Sequence, residues 1–299
     1  MTIAVPNAPS KPPIGRDTRL CMSLSARPSN TGSRLHNRLY ELLGLDYVYK
    51  AFSTTDLPAA IGGIRALGIR GCAISMPFKE AVIPLLDRLE DSARVIDSVN
   101  TIVNDDGVLT GYNTDYVAVR DLLIARGIDP ATPFVLRGSG GMAKAVVAAL
   151  RDCGFDHGTV VARNRAAGEA LADRYRYAWR ADVPDTGAPM LVNVTPLGME
   201  GADRDAFAFP AAMIASCDIA FDVVALPVET PFIKAAEQVG KTVLSGAEVI
   251  VLQAVEQFVL YTGIRPSADI IVEAAAFAHG PALAARMQRI PLPGPHPTA

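Results

Sequence analysis

The sequence predicts an α/β fold in two parts, and three observations predict it. Strand-like and helix-like patterns alternate in the N-terminal part, an Asp-Gly step separates two β-prone segments, and a second βα series opens on a glycine-rich turn. A chain of 299 residues, 50% of them hydrophobic, can bury two modest cores.

Arg19 to Leu24 reads as the first strand. Leu35, Leu39, Leu42 and Leu43 then form an amphipathic stripe stopped by Gly44, the pattern of a helix with a glycine at its C-terminal end. Tyr47 to Tyr49 is the next strand, Leu57, Ile61, Ile64 and Leu67 share one helical face, and Ile69 to Ile74 is an apolar run. Such alternation implies a parallel sheet with crossover helices. Asp105-Asp106-Gly107 between Thr101-Ile102-Val103 and Val108-Leu109-Thr110 signals a hairpin, so an antiparallel strand joins that sheet. The second series places strands at Phe134 to Leu136, Thr159 to Ala162, Met190 to Val194, Ile219 to Val224 and Thr242 to Leu244. Glu248 to Thr262, stopped by Gly263, reads as a long helix that returns to the first domain.

A formal net charge of −3, from 28 basic and 31 acidic residues, leaves no basic footprint for nucleic acid, so the expected partner is a small molecule. Cys21, Cys72, Cys153 and Cys217 are widely spaced and suggest neither a zinc site nor a disulfide framework. No metal is expected. The proline-rich opening lacks a basic start followed by an apolar run, and no uncharged apolar run reaches membrane-spanning length. A cytoplasmic protein with no membrane partner is expected, and a homodimer is compatible with this reading. Segments 1–16 and 289–299 are expected to be flexible tails.

Gly138-Ser139-Gly140-Gly141-Met142-Ala143 follows an apolar strand and precedes a helix, which is the G-x-G-x-x-A dinucleotide fingerprint of a Rossmann domain. Gly138 permits the tight turn, Gly140 lets backbone approach a pyrophosphate, and Ala143 is small enough for helix and strand to pack closely. The helix start itself favours an anion. After the next strand the chain reads Arg163-Asn164-Arg165, with no carboxylate until Glu169. Arginine there accommodates a 2′-phosphate where a carboxylate would bond a ribose hydroxyl, so NADP is the expected cofactor. Oxidising or reducing a small polar substrate also needs a proton-transferring group. His36, at a helix start, reads as structural, and a lysine with an aspartate partner is the alternative.

Ser75-x-Pro77-Phe78-Lys79-Glu80, Ser98-Val99-Asn100-Thr101, Gly111-Tyr112-Asn113-Thr114-Asp115, Gly138-x-Gly140-Gly141 and Asn193-Val194-Thr195-Pro196-Leu197-Gly198-Met199 stand in one order and spacing. Together with Thr230-Pro231-Phe232 and Gln253-Ala254 they resemble the shikimate dehydrogenase family over roughly Arg19 to Met287. The resemblance implies a substrate domain over 17–114 completed by 251–288, a Rossmann NADP domain over 115–250, and substrate held in a cleft between them.

It also implies that Lys79 transfers the proton with Asp115 as its partner, and that Asn100 and Gln253 bond substrate hydroxyls. Ser75 stands where the family usually has threonine. Gly138 to Ala143, Asn164 and Arg165 would hold the cofactor, with Thr195 on its nicotinamide side. The family's S-x-S-P-x-x-H-N, whose serines hold the substrate carboxylate, maps without gaps onto Asn30 and Gly32 before His36-Asn37. Asn30, Thr31 and Ser33 are then the candidates, whereas Ser23 and Ser25 copy S-x-S only with an insertion. A family tyrosine is Ala225 here and a family asparagine is Ala73. Met22 to Asn30 is similar to the shikimate-dehydrogenase-like branch. The implied activity is NADP-dependent interconversion of shikimate and 3-dehydroshikimate, the alternatives being quinate or aminoshikimate oxidation, or a catalytically weak NADP-binding sensor on the same fold.

Overall fold

The computed structural model describes residues 10–290. The expected loose ends at 1–9 and 291–299 lie outside the described residues. Residues 10–16 carry no helix or strand, whereas Ile290, inside the C-terminal segment expected to be loose, is buried. The chain divides into two units, one running through Thr114 and resuming at Ala254, the other spanning Asp115–Gln253.

The first unit alternates β1 (Arg19–Leu24), α1 (Thr31–Leu42), β2 (Tyr47–Phe52), α2 (Leu57–Ala66) and β3 (Gly71–Ile74). Short α3 (Phe78–Ala81), β4 (Arg88–Leu89) and α4 (Asp91–Arg94) lead into the hairpin of β5 (Thr101–Asp105) and β6 (Val108–Tyr112). The sheet runs β2-β1-β3-β5-β6-β4, with β5 antiparallel to both its neighbours and every other pair parallel. Asp106 and Gly107 both have positive φ, the two-residue turn that an Asp-Gly step favours, and Asn104 Oδ1 accepts the Gly107 N–H at 2.8 Å. Asp56 caps α2 by accepting the Ala59 N–H at 3.0 Å, with proline in the first turn, so the helix starts where its apolar stripe starts. That stripe, Leu57, Ile61 and Ile64, packs on Met22, Leu24, Cys72 and Ile74 from one face of the sheet. Each such burial is worth about 1.5–3 kcal/mol.

In the second unit α5 (Thr114–Ala125) leads to β7 (Phe134–Arg137), α6 (Gly141–Asp152), β8 (Gly158–Val161), α7 (Arg165–Tyr175) and β9 (Ala178–Arg180). The chain continues through β10 (Met190–Asn193), α8 (Ala211–Ser216), β11 (Ile219–Asp222), α9 (Pro231–Gln238) and β12 (Thr242–Ser245). All pairs are parallel, in the order β12-β11-β10-β7-β8-β9. This is the doubly wound dinucleotide-binding order, whose switch point falls between β7 and β10. Both β4 and β9 are absent from the expected strands, because two or three residues carry no readable alternation.

α10 (Gly246–Thr262) begins in the second unit and ends in the first, followed by α11 (Ala268–His279) and α12 (Pro281–Met287). Within the first unit Arg70 Nε donates to the Tyr261 carbonyl at 2.9 Å and Arg34 donates to the Phe277 carbonyl at 2.7 Å, fixing the returning helices. Among the described residues no helix is long and apolar enough to cross a membrane.

Candidate active site

In the first unit the carboxyl ends of β1 and β3 gather the chemistry. β1 and β3 run parallel with Leu24 level with Ile74, and the Ser75 N–H donates to the Leu24 carbonyl at 3.0 Å. Ser25 therefore lies level with Ser75, and the next residue, Ala26, donates its N–H to the Met76 carbonyl at 3.2 Å. The Phe78 N–H bonds the Ser75 carbonyl at 2.9 Å, closing the turn that starts α3. Half-buried Lys79 sits in that short helix, and its carbonyl accepts the Val99 N–H at 2.9 Å. The Asn100 carbonyl accepts the Ile74 N–H at 2.7 Å. Ser75 and Lys79, neighbours in one short motif, and Asn100, further along the chain, are thus brought to one sheet end.

Asn100 is buried inside a neutral network. Its Oδ1 accepts the Thr114 N–H at 2.7 Å and the Thr101 hydroxyl at 2.8 Å, while its Nδ2 donates to Thr114 Oγ1 at 3.0 Å. Gln257 completes the network, donating to Thr101 Oγ1 at 3.0 Å. Gln257 is absent from the sequence-based candidates, although its place one turn after Gln253 on α10 was the available signal. Gln253 donates back to the Ile250 carbonyl at 3.0 Å within its own helix. Asp115, buried at 9% exposure, lies in the first turn of α5 immediately after Thr114.

Asn30 stands exposed at the N-terminus of α1, its side chain making no cap bond and its carbonyl accepting the Arg34 N–H at 2.9 Å. Ser25 is buried, and the Ser23 side chain bonds Tyr49. Tyr49 stacks on His36 with ring centroids 4.3 Å apart, and the Asn37 amide clamps α1 to the Tyr49 backbone through two bonds. His36 is fully buried. Burial pushes its imidazole down to about 4, partly opposed by the Gln257 side chain.

In the second unit the glycine-rich turn lies at the switch point. Gly138 has φ +130, and a Cβ there would come within 2.7 Å of Val194, so only glycine lets β7 turn beside β10. Gly140 caps α6 with no side-chain bond to the first turn, and a Cβ on it would meet nothing within 4 Å. Ser139, Gly141 and Met142 are half-buried around it, and Ala143 is fully buried beneath. Among the described residues no N-cap side chain bonds these first-turn N–H groups, and a helix start of this kind fits a dinucleotide pyrophosphate. Asn164 caps α7 through the Ala167 N–H at 3.2 Å, and exposed Arg165 follows it as the first helical residue.

Thr195 lies in a turn built on the buried carboxyl of Asp222. Asn193 Oδ1 accepts the Thr195 N–H at 3.0 Å and its hydroxyl at 2.6 Å, while Asn193 Nδ2 donates to Asp222 Oδ1 at 2.9 Å. Asp222 also accepts the Thr230 hydroxyl at 2.6 Å and the Val224 N–H at 3.1 Å. Burial raises its carboxyl to about 6, against the pull of those bonds.

Comparison with known proteins decides the family. The model for the shikimate dehydrogenase substrate binding domain matches residues 28–102. A shikimate dehydrogenase-like protein of Haemophilus influenzae is 55% identical over 89% of this chain and 98% of its own length. The chain belongs to the shikimate dehydrogenase family. A shikimate dehydrogenase (NADP(+)) of Pyrococcus abyssi is 34% identical over 79% of this chain and 89% of its own. Shikimate 5-dehydrogenase of Thermus thermophilus, solved with NADP(H) and shikimate, superposes with a TM-score of 0.79 at 31% identity, covering 87% of this chain and 99% of that one. The expected family, the mixed-sheet and Rossmann architecture and the helical return are all borne out.

Proposed function

We propose that this family member is an NADP-dependent oxidoreductase of shikimate dehydrogenase type, interconverting shikimate and 3-dehydroshikimate. The observation that carries the reading is the convergence of Ser75, Lys79 and Asn100 at one sheet end of a chain whose second unit has the dinucleotide-binding strand order. NADP, when bound, supplies the hydride acceptor. Gly138 to Ala143 would hold its pyrophosphate, Asn164 and Arg165 its adenosine side, and Thr195 its nicotinamide side.

Lys79 Nζ takes the proton of the reacting hydroxyl, and Asp115 is its partner. Asn100 keeps its carbonyl inward, on Thr101 and Thr114, and donates an amide N–H to a substrate hydroxyl. Ser75 and Gln253 bond the remaining hydroxyls. A substrate lacking one hydroxyl would leave a buried polar group unpaired, which is how such a site selects a polyol acid. Ser25, with Ser23 behind it, is better placed for the carboxylate than Asn30, because strand register sets it beside Ser75. Ala73 and Ala225, where the family pattern has asparagine and tyrosine, leave a pocket that permits quinate or aminoshikimate as the competing substrate.

The test is reduced-nicotinamide absorbance with NADP or NAD and each of shikimate, quinate and aminoshikimate. Saturable reduction of NADP by shikimate is expected; silence with all three despite nucleotide binding would replace this reading with the sensor reading or with a substrate outside these three. Lys79→Ala should lower turnover at least ~100-fold with NADP binding retained. Full activity in that variant would remove lysine from the mechanism.

A further inference from the structure

We propose that Trp179 is a specificity-determining residue, fixing Arg165 so that the second unit prefers an adenosine carrying a 2′-phosphate. The inference rests on the NADP reading above and adds to it the residue that orients the arginine. The Arg165 side chain is 75% exposed, and a long side chain so exposed normally samples many rotamers. Here two contacts hold it. Its guanidinium carbon lies 5.4 Å from the Trp179 ring centroid, and its Nε donates to Glu169 at 3.0 Å.

Trp179 is itself anchored from two sides. In β9, its indole N–H donates to the Ala162 carbonyl at 3.3 Å, one residue before Arg163-Asn164-Arg165. On the other side the indole passes against Gly168 of α7, where any Cβ would collide with the ring. A glycine in a helix interior is unfavourable by itself, and here it makes room for the indole. One aromatic ring therefore braces both the strand end that begins the loop and the arginine that follows it.

This geometry suits a phosphate. The Nε bond to Glu169 leaves the two terminal guanidinium nitrogens for bidentate contact with an anion. It also engages the first carboxylate after the loop, which would otherwise repel a 2′-phosphate. Burial lowers the Arg137 guanidinium, and the positive charge of nearby Arg163 lowers it further, so the basic groups here gather around the strand ends.

Trp179 is the chain's single tryptophan, so its fluorescence reports on this site alone. The full-length protein would be titrated with 2′,5′-ADP and with 5′-AMP, by calorimetry for wild type, Trp179→Leu, Trp179→Phe and Arg165→Ala, and by indole fluorescence as well for wild type and Arg165→Ala. Wild type should prefer 2′,5′-ADP and change its indole emission on binding. Trp179→Leu should lose about 2- to 5-fold of that preference, the scale of an exposed cation–π contact. Trp179→Phe should keep part of it, and Arg165→Ala should abolish it. An unchanged preference in folded Trp179→Leu, or in Trp179→Phe and Leu alike, overturns the role of Trp179 and leaves NADP binding standing. Wild type that binds neither nucleotide overturns the NADP reading itself, and with it this inference.

Discussion

The two units bury opposite acid–base liabilities. Around β1 and α1 the first unit encloses a histidine held neutral, His36 at about 4, against Tyr49 and Gln257. The second encloses a carboxyl, Asp222 at about 6, tying Asn193, Val224 and Thr230 together. A depressed histidine contributes stability that is present above pH 6.5 and lost as the pH falls toward 4. A raised carboxyl does the reverse: its contribution is complete below pH 3.8 and is lost as the pH rises through 6. Acid should therefore weaken the first unit and relieve the second, a difference invisible in their similar α/β architecture.

The largest effect that can break this comparison is in hydrogen exchange at pH 7 and pH 5, corrected for intrinsic rates. Amides around β1, α1 and β2 should lose about 2 kcal/mol of protection, while those of β10 and β11 gain about 1 kcal/mol. Parallel loss in both units would end the contrast, and His36→Phe should remove part of the first response, the rest belonging to His279 on α11, whose imidazole burial also pushes down to about 4.

A smaller change sharpens the contrast from the neutral side. Gln257→Leu removes the donor to Thr101 and should cost about 1–2 kcal/mol in denaturant unfolding. It should also raise KM for the polyol several-fold while KM for NADP holds, because the network ends at Asn100. A change in the NADP constant alone would place Gln257 elsewhere in function. The smallest effect is expected for Asp222→Asn, within about 1 kcal/mol of wild type at pH 7, since losing the buried charge offsets the altered bond to Thr230. Its signature is a loss of the pH 7 to 5 stabilisation; a variant that kept the wild-type pH dependence would assign that response to another group.

Most of the fold was legible in the sequence because its signals are local. The stripe of α1, the Asp106-Gly107 turn and the glycines after β7 each state their conformation within a few residues. The same holds for Ser75, Lys79 and Asn100, which lie in motifs with characteristic spacing. What was not legible depends on register and on neighbours brought from elsewhere. Ser25 reaches Ser75 only through the pairing of β1 with β3, whereas gapless counting favoured Asn30. Gln257 acquires its partners across 156 residues, and Trp179 reads as an ordinary aromatic until Gly168 opens room for it. Asp222 falls inside the expected strand Ile219 to Val224, and nothing local marks it as the hub of a turn.

The interrupted first unit also sets an order in time during synthesis. Its sheet is complete at Tyr112, yet α10 must still arrive to place Tyr261 against Gly71, and α11 to cover α1. At ~5–20 residues per second, the intervening segment keeps that surface waiting for on the order of ten seconds on the ribosome. Asp115–Gln253, being continuous, has all its partners earlier. Nascent chains halted when Gln253 has just cleared the ribosome should therefore expose the Tyr40 and Tyr49 face to protease while the nucleotide unit already resists it; equal sensitivity of both would show that continuity of the chain does not decide which unit closes first.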